Sequence, residues 1–328
     1  MFKKKISLIG ICLISAIFYS CSPDARTPLE PNSETNSLEK RSIQDYKNSG
    51  ILYKSRLAFE LNGNIYSMYP DGSDLQQLTF LAAEESRCYW SQDGEKILFT
   101  QTNDIFLMNW DGSNQQQILG SSFGIIAPAL SPDNNWIAYA YTNEVDGWSL
   151  KKIRTDGTEE TTLISESTGF FEEPDWSPDG NRIVFMGQVN LGEPSPINIY
   201  TINPNGTNLE KLTFEEDSDW AVQPDWSPSG KYIAYIVGHQ NAIEQSSAVF
   251  IMRANGKYKT QITDFNFGAN HEDGNFDWEP TWAPDNKHLA FVSHKRQGGG
   301  IFIIQEDFSI TKVSNLTPRF LTWGLLPE

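Results

Sequence analysis

Residues 264–279, DFNFGANHEDGNFDWE, bring His271 close to Glu272, Asp273, Asp277 and Glu279. Carboxylates clustered around one imidazole suit a hard cation held mainly through oxygen, and His271, Asp273 and Asp277 are the candidate metal ligands. The stretch matches no complete calcium-loop template. The other histidines, His239, His288 and His294, never take the His-Glu-x-x-His spacing of a zinc hydrolase. The expectation is therefore no cofactor, with a divalent cation at this loop as the exception. Glu173 and Glu279 could pair for general acid–base work, but only their separation in space decides that. Cys88 offers no nucleophile, because other copies of its column hold Pro128, Pro174, Pro224 and Pro280.

These residues sit in a chain built from a repeat. DWSPDG at 175–180 returns as YWSQDG at 89–94, ALSPDN at 129–134, DWSPSG at 225–230 and TWAPDN at 281–286. The marker column reads Trp90, Leu130, Trp176, Trp226, Trp282 and Trp323, six copies in all. Seven residues after each of the first five comes an apolar run, as in Ile97-Leu98-Phe99 and Ile183-Val184-Phe185. A third run ends in an Asp-Gly or Asn-Gly turn, and a fourth follows, as Leu78-Thr79 or Leu212-Thr213. Four short β-rich runs per unit, divided by turn residues and lacking any helix-length apolar period, predict an all-β fold. Six four-stranded units predict a six-bladed β-propeller, whose radial stacking buries both faces of every sheet. The first unit lacks its inner strand, while Phe320-Leu321-Thr322-Trp323 is an inner strand with nothing after it. The C-terminal strand is therefore expected to complete the N-terminal blade and remove two unpaired edges.

The WSPDG turn, the Ile-Ala-Phe run, the Tyr-x-Met-x-x-Asp-Gly turn and Leu-Thr together resemble the TolB-type six-bladed propeller repeat over about residues 52–325. The resemblance implies the fold. For function it implies a range, from binding platforms to peptidase gates and lyases, since one scaffold hosts many activities.

Spacing shows where function would sit. The distance from marker to second strand and that from turn glycine to fourth strand stay constant, whereas the units run 40, 46, 50, 56 and 41 residues. The variation lies in the connections between strands two and three and between one blade and the next, which emerge on one face of the disc. Elaborated loops on a rigid scaffold are where binding concentrates. The longest are 187–196, 237–247, 264–279 and 293–300. Trp220, Phe276 and Trp278 stand there as candidate ligand contacts, aromatic faces beside carboxylates being suited to peptide or carbohydrate recognition. Just before the inner strand the copies read Arg87, Ala127, Glu173, Gln223, Glu279 and Phe320, with Arg319 adjacent. Inequality in an otherwise matched column is not needed for folding, so Arg87, Glu173, Gln223, Glu279 and Arg319 are the candidate channel-mouth set.

The N-terminus carries Lys3, Lys4 and Lys5 before an apolar run from Ile6 to Phe18, the pattern of an export signal. Its end, Phe18-Tyr19-Ser20-Cys21, resembles a lipoprotein cleavage site. Residues 1–21 are read as signal peptide with Cys21 lipidated, 22–50 as a flexible polar tether and 51–328 as the propeller. Cys88 is then the sole cysteine of the mature body, which excludes an internal disulfide. A formal charge of −17 excludes nucleic acid and anionic lipid surfaces as partners. Together these features read as a monomeric cell-envelope lipoprotein, expected at the outer membrane and touching it only through its lipid. It is read as a non-enzymatic module that binds protein, peptide or glycan. The alternatives are a metal-assisted lyase or hydrolase of an acidic or sugar polymer, and a structural partner in an envelope assembly.

Overall fold

The computed structural model describes residues 54–80, 87–121, 124–143, 147–166, 169–189, 196–215, 219–240, 245–265 and 276–327. Strands β1 (Ser55–Leu61), β2 (Asn64–Met68) and β3 (Gln76–Gln77) open the chain. The second sheet is β4 (Cys88–Trp90), β5 (Lys96–Gln101), β6 (Asp104–Asn109) and β7 (Gln116–Leu119). The third is β8 (Gly124–Leu130), β9 (Trp136–Asn143), β10 (Gly147–Arg154) and β11 (Thr161–Glu166). The fourth is β12 (Phe170–Trp176), β13 (Ile183–Gln188), β14 (Asn198–Ile202) and β15 (Glu210–Lys211). The fifth is β16 (Asp219–Trp226), β17 (Tyr232–Gln240), β18 (Gln245–Arg253) and β19 (Thr260–Gln261). The sixth is β20 (Asp277–Trp282), β21 (Leu289–Ser293), β22 (Gly300–Ile304) and β23 (Ile310–Ser314).

The last strand, β24 (Arg319–Leu325), lies antiparallel to β1, with Leu57 opposite Trp323, and gives the first sheet the order β24-β1-β2-β3. The ring of six four-stranded antiparallel blades is thereby closed by the two ends of the propeller, as the incomplete terminal repeats require.

Each blade is held by the same devices. Strand two carries a buried aromatic, Phe59, Phe99, Tyr139, Phe185, Tyr235 or Phe291. In five blades this ring faces a second aromatic on strand three, as Phe99 does Phe106 with centroids 5.3 Å apart. The third blade has Lys151 opposite Tyr139 instead. The marker tryptophans pack between blades, and Trp176 Nε1 donates to the Ala129 carbonyl of the preceding blade at 3.2 Å. The Ser-Pro-Asp-Gly turn is locked from within. Ser177 Oγ donates to Asp179 Oδ1 at 2.7 Å and accepts from the Arg182 N–H at 2.9 Å. Ser91 with Asp93 and Ser131 with Asp133 repeat the first of these bonds. Serine and aspartate two residues apart supply this local bonding at little entropic cost, which is why the motif recurs.

The inner strands hold one feature that composition hides. Ala127, Glu173, Gln223, Glu279 and Phe320 all adopt positive φ, between 49° and 55°. At each the pairing with the neighbouring strand slips, as between Glu172 and Asp175 or Val222 and Asp225. Four of the five precede a proline. Proline has no N–H to give to the ladder, so a β-bulge forms at this point and turns the preceding side chain. Every one of these residues belongs to the channel column.

Candidate functional site

The bulges assemble a belt around the channel. Arg87 Nη1 meets Glu173 Oε1 at 2.9 Å and Nη2 meets Glu172 Oε2 at 3.6 Å, while the guanidinium lies 4.4 Å over the Phe320 ring. Ala127 occupies the intervening blade, and its short side chain leaves the guanidinium room to cross. Farther round, Gln223 Nε2 donates to Glu279 Oε1 at 2.8 Å, and the Glu279 N–H donates to Gln223 Oε1 at 2.9 Å. The backbone N–H groups of Gln223 and Phe320 face Glu173 and Glu279, although Glu173 Oε2 is buried without a hydrogen-bond partner. The column is thus a chain of blade-to-blade contacts closed by the arginine. Beneath it lies a cavity of about 30 Å³ lined by Tyr89, Glu173, Gln223, Asp225, Glu279 and Phe320 among others. A space of that size takes a water-sized group and nothing larger.

Electrostatics follow from enclosure. Burial raises the Glu173 carboxyl, opposed by Arg87. Glu279 is pushed up to about 8, first by burial and then by the nearby charge of Glu173. Burial alone would lower Arg87, but Glu173 and Glu172 more than reverse that and hold it charged. Two further carboxylates join them. Asp175 Oδ2 accepts the Trp226 N–H at 2.7 Å, and Asp225 Oδ2 accepts the Trp282 N–H at 2.8 Å. Each fastens its own blade to the next. Burial pushes Asp175 up to about 7, and burial with the charge of Asp175 raises Asp225 well above its ordinary value. These clamps escaped the sequence reading, although aspartate directly before the marker tryptophan, in DWSP alone, was the available signal.

The other expected contacts separate from the belt. Arg319 begins β24 opposite Glu60. Trp220 and Trp278 stack on each other with centroids 5.2 Å apart and planes 9° off parallel. Phe276 continues the stack on Trp278 at 6.3 Å, and Lys295 Nζ lies 5.4 Å over Phe276. Gly238 lies beneath Trp220, where an added Cβ would stand 1.9 Å from the ring. Both faces of Trp220 and of Trp278 are therefore spent within the protein. These rings cap the ends of two blades and stay half-buried.

Of the candidate metal ligands, His271 and Asp273 lie outside the described residues, as do Glu272 and the lipidation candidate Cys21. Asp277 is fully buried and is engaged by Arg296 Nη2 at 3.1 Å, an arginine that also reaches Asp264 at 2.9 Å. Its partner is a guanidinium. Among the described residues no three His, Cys, Asp or Glu side chains gather as a metal site. His239 Nδ1 bonds Asp219 at 2.6 Å, and His288 pairs with Asp285 in its own turn. The Cys88 thiol is buried and raised by that burial, and donates to the Phe320 carbonyl at 3.3 Å. One motif passed over in the sequence is GSSFG at 120–124, which has nucleophile-elbow spacing. It leads into strand β8 instead of a helix, so it lacks the strand-turn-helix that exposes a nucleophile.

Comparison with known proteins agrees with this architecture. Residues 101–241 match the family described as the TolB beta propeller domain. The Tol-Pal system protein TolB of Francisella tularensis subsp. mediasiatica is 25% identical over 275 residues, covering 83% of this chain and 57% of that protein. The chain thus spans little more than half the length of this curated relative. Among solved structures, TolB from Acinetobacter baumannii superposes with a TM-score of 0.67 at 16% identity over 90% of this chain and 74% of that one. An oligogalacturonate lyase in complex with manganese superposes at 0.54 with 12% identity over 77% of this chain and 70% of that one. Identities that low show the shared fold alone. With the six blades of the structure, these matches support a TolB-like propeller repeat, which the chain resembles in fold and in repeat pattern.

Proposed function

We propose that this propeller is a cell-envelope binding module that takes a protein or peptide partner on its loop face. The belt of Arg87, Glu173, Gln223 and Glu279 forms the floor of that face. The belt is the observation that carries the reading. Its carboxyl groups are committed to an arginine and a glutamine, so they are set to shape a surface. Its side chains differ from blade to blade while the surrounding scaffold repeats, as expected of a surface that discriminates between partners. The curated relatives named as Tol-Pal system proteins support an envelope setting and a protein partner.

A photo-crosslinking residue at exposed Lys295, on the loop face, should capture a discrete envelope protein in growing cells. The same residue at exposed Thr260, on the outer strand, should not. Equal capture at both positions, or at neither, would remove the loop-face assignment.

The leader pattern extends the proposal to an anchor at Cys21, with the polar tether holding the propeller away from an outer membrane. One lipid group at Cys21 predicts incorporation of labelled fatty acid and recovery with the membrane fraction. Cys21→Ser should abolish the label and move the protein to the soluble fraction, and a membrane-bound, unlabelled variant would overturn the anchor.

A further inference from the structure

The opposite face of the disc carries a second site. At the turn of five of the six blades the residue four after the marker adopts positive φ: Gly94, Asn134, Gly180, Gly230 and Asn286. Where that residue is asparagine, its side chain crosses to the turn of the preceding blade. Asn134 Nδ2 donates to Asp93 Oδ2, and Asn286 Oδ1 accepts the Ser229 N–H. At the first seam the amide N–H finds a carboxylate oxygen while the buried Asn134 Oδ1 has no partner, and at the second the amide oxygen finds a backbone N–H.

At the seam between the fourth and fifth blades the crossing residue is Gly230, which has no side chain to send. The corresponding groups of the preceding turn are the Asp179 carboxylate and its backbone N–H. Here a cleft of about 480 Å³ opens, lined by Asp179, Asn181, Arg182, Trp226, Ser229 and Asn255 among others. That is the size of a small-ligand site. Trp226 is only 7% exposed, and its indole Nε1, like those of Trp90 and Trp282, has no hydrogen-bond partner. Space is ample where the side chain would start, since a Cβ added to Gly230 meets only Pro178 Cδ at 3.7 Å.

We infer that this seam is a docking slot for the asparagine side chain of a partner protein, received as Asn134 and Asn286 are received within the chain. A primary carboxamide gives one donor and one acceptor from the same planar group. A carboxylate would repel Asp179. The slot and the loop face lie on opposite sides of the disc, so either can fail without the other.

The test uses the full chain labelled with 15N-tryptophan, with the Trp226 indole signal assigned through Trp226→Phe. N-acetyl-L-asparagine methylamide should shift that signal saturably, while the aspartate and leucine analogues leave it in place. Gly230→Asn should supply the carboxamide in cis, because Asn134 and Asn286 already hold φ of 57° and 64° at this position. That variant should lose the response and gain about 2 °C in thermal midpoint. Gly230→Ala, with a φ of +68° to satisfy and no amide, should lose stability. An undiminished response in Gly230→Asn, or equal shifts with all three analogues, would overturn the slot. A response to an N-acetylated sugar with none to the asparagine compound would equally overturn it in favour of a glycan.

Discussion

Trp176→Ala should lower the stability of the propeller by roughly 3–5 kcal/mol, the cost of emptying a large aromatic site in a packed core. The ring is 4% exposed and sits among Ala129, Ala138 and Phe171 at the seam of two blades. Its indole N–H is bonded to the Ala129 carbonyl, so the truncation also leaves an acceptor unpaired across the seam. In a chain of this size the loss should appear as a fall of about 10 °C in melting temperature. Trp226→Ala removes the same ring volume without an indole hydrogen bond, and it should cost less. Equal losses would mean that the bond across the seam adds nothing measurable, and an unchanged melting temperature in both would contradict the packing of the marker column.

The blades were legible because their determinants are local. A tryptophan, a Ser-Pro-Asp-Gly turn and an apolar run at fixed spacing specify strand, turn and strand without reference to the rest of the chain. Closure by β24 was legible for a similar reason, since an inner strand missing at one end and left over at the other has one economical pairing. The site was legible only as a column. That Arg87 reaches Glu173 depends on two blades and the short Ala127 between them, a relation across 86 positions. That the side chains meet at all depends on bulges, four of which have a proline inside the strand as their signal. Trp220 and Trp278 look like binding aromatics in one dimension. Gly238, 18 positions beyond Trp220, is what lets the first ring lie flat and take the second on its other face.

The inner ring of acids also predicts how the protein responds to pH. Asp175 at about 7 and Glu279 at about 8 bind protons more tightly in the folded chain than in the unfolded one, where carboxylates titrate near pH 4. Their favourable contribution is complete below about pH 4 and is lost as pH rises through 7 to 8. The turn carboxylates Asp93, Asp133, Asp179 and Asp285 behave oppositely. Although burial works against it, hydrogen bonds from their own turns, and for Asp285 from His288, hold them below the ordinary range. Their contribution is present above about pH 4 and fades as pH falls through their folded values. The two groups together place the stability maximum near pH 5. Between there and pH 9 stability should fall, since Asp175, Glu279, Asp225 and Glu173 all bind protons more tightly in the folded chain. Glu279→Gln keeps the acceptor for the Phe320 N–H and the contact with Gln223 but removes the ionisation. Its melting temperature should therefore decline less steeply across pH 5–9, exceed that of the parent at pH 9 and match it at pH 5. A parallel decline in both proteins would show that Glu279 is ionised in the folded state at neutral pH, with the negative charge of the belt standing unneutralised in the channel.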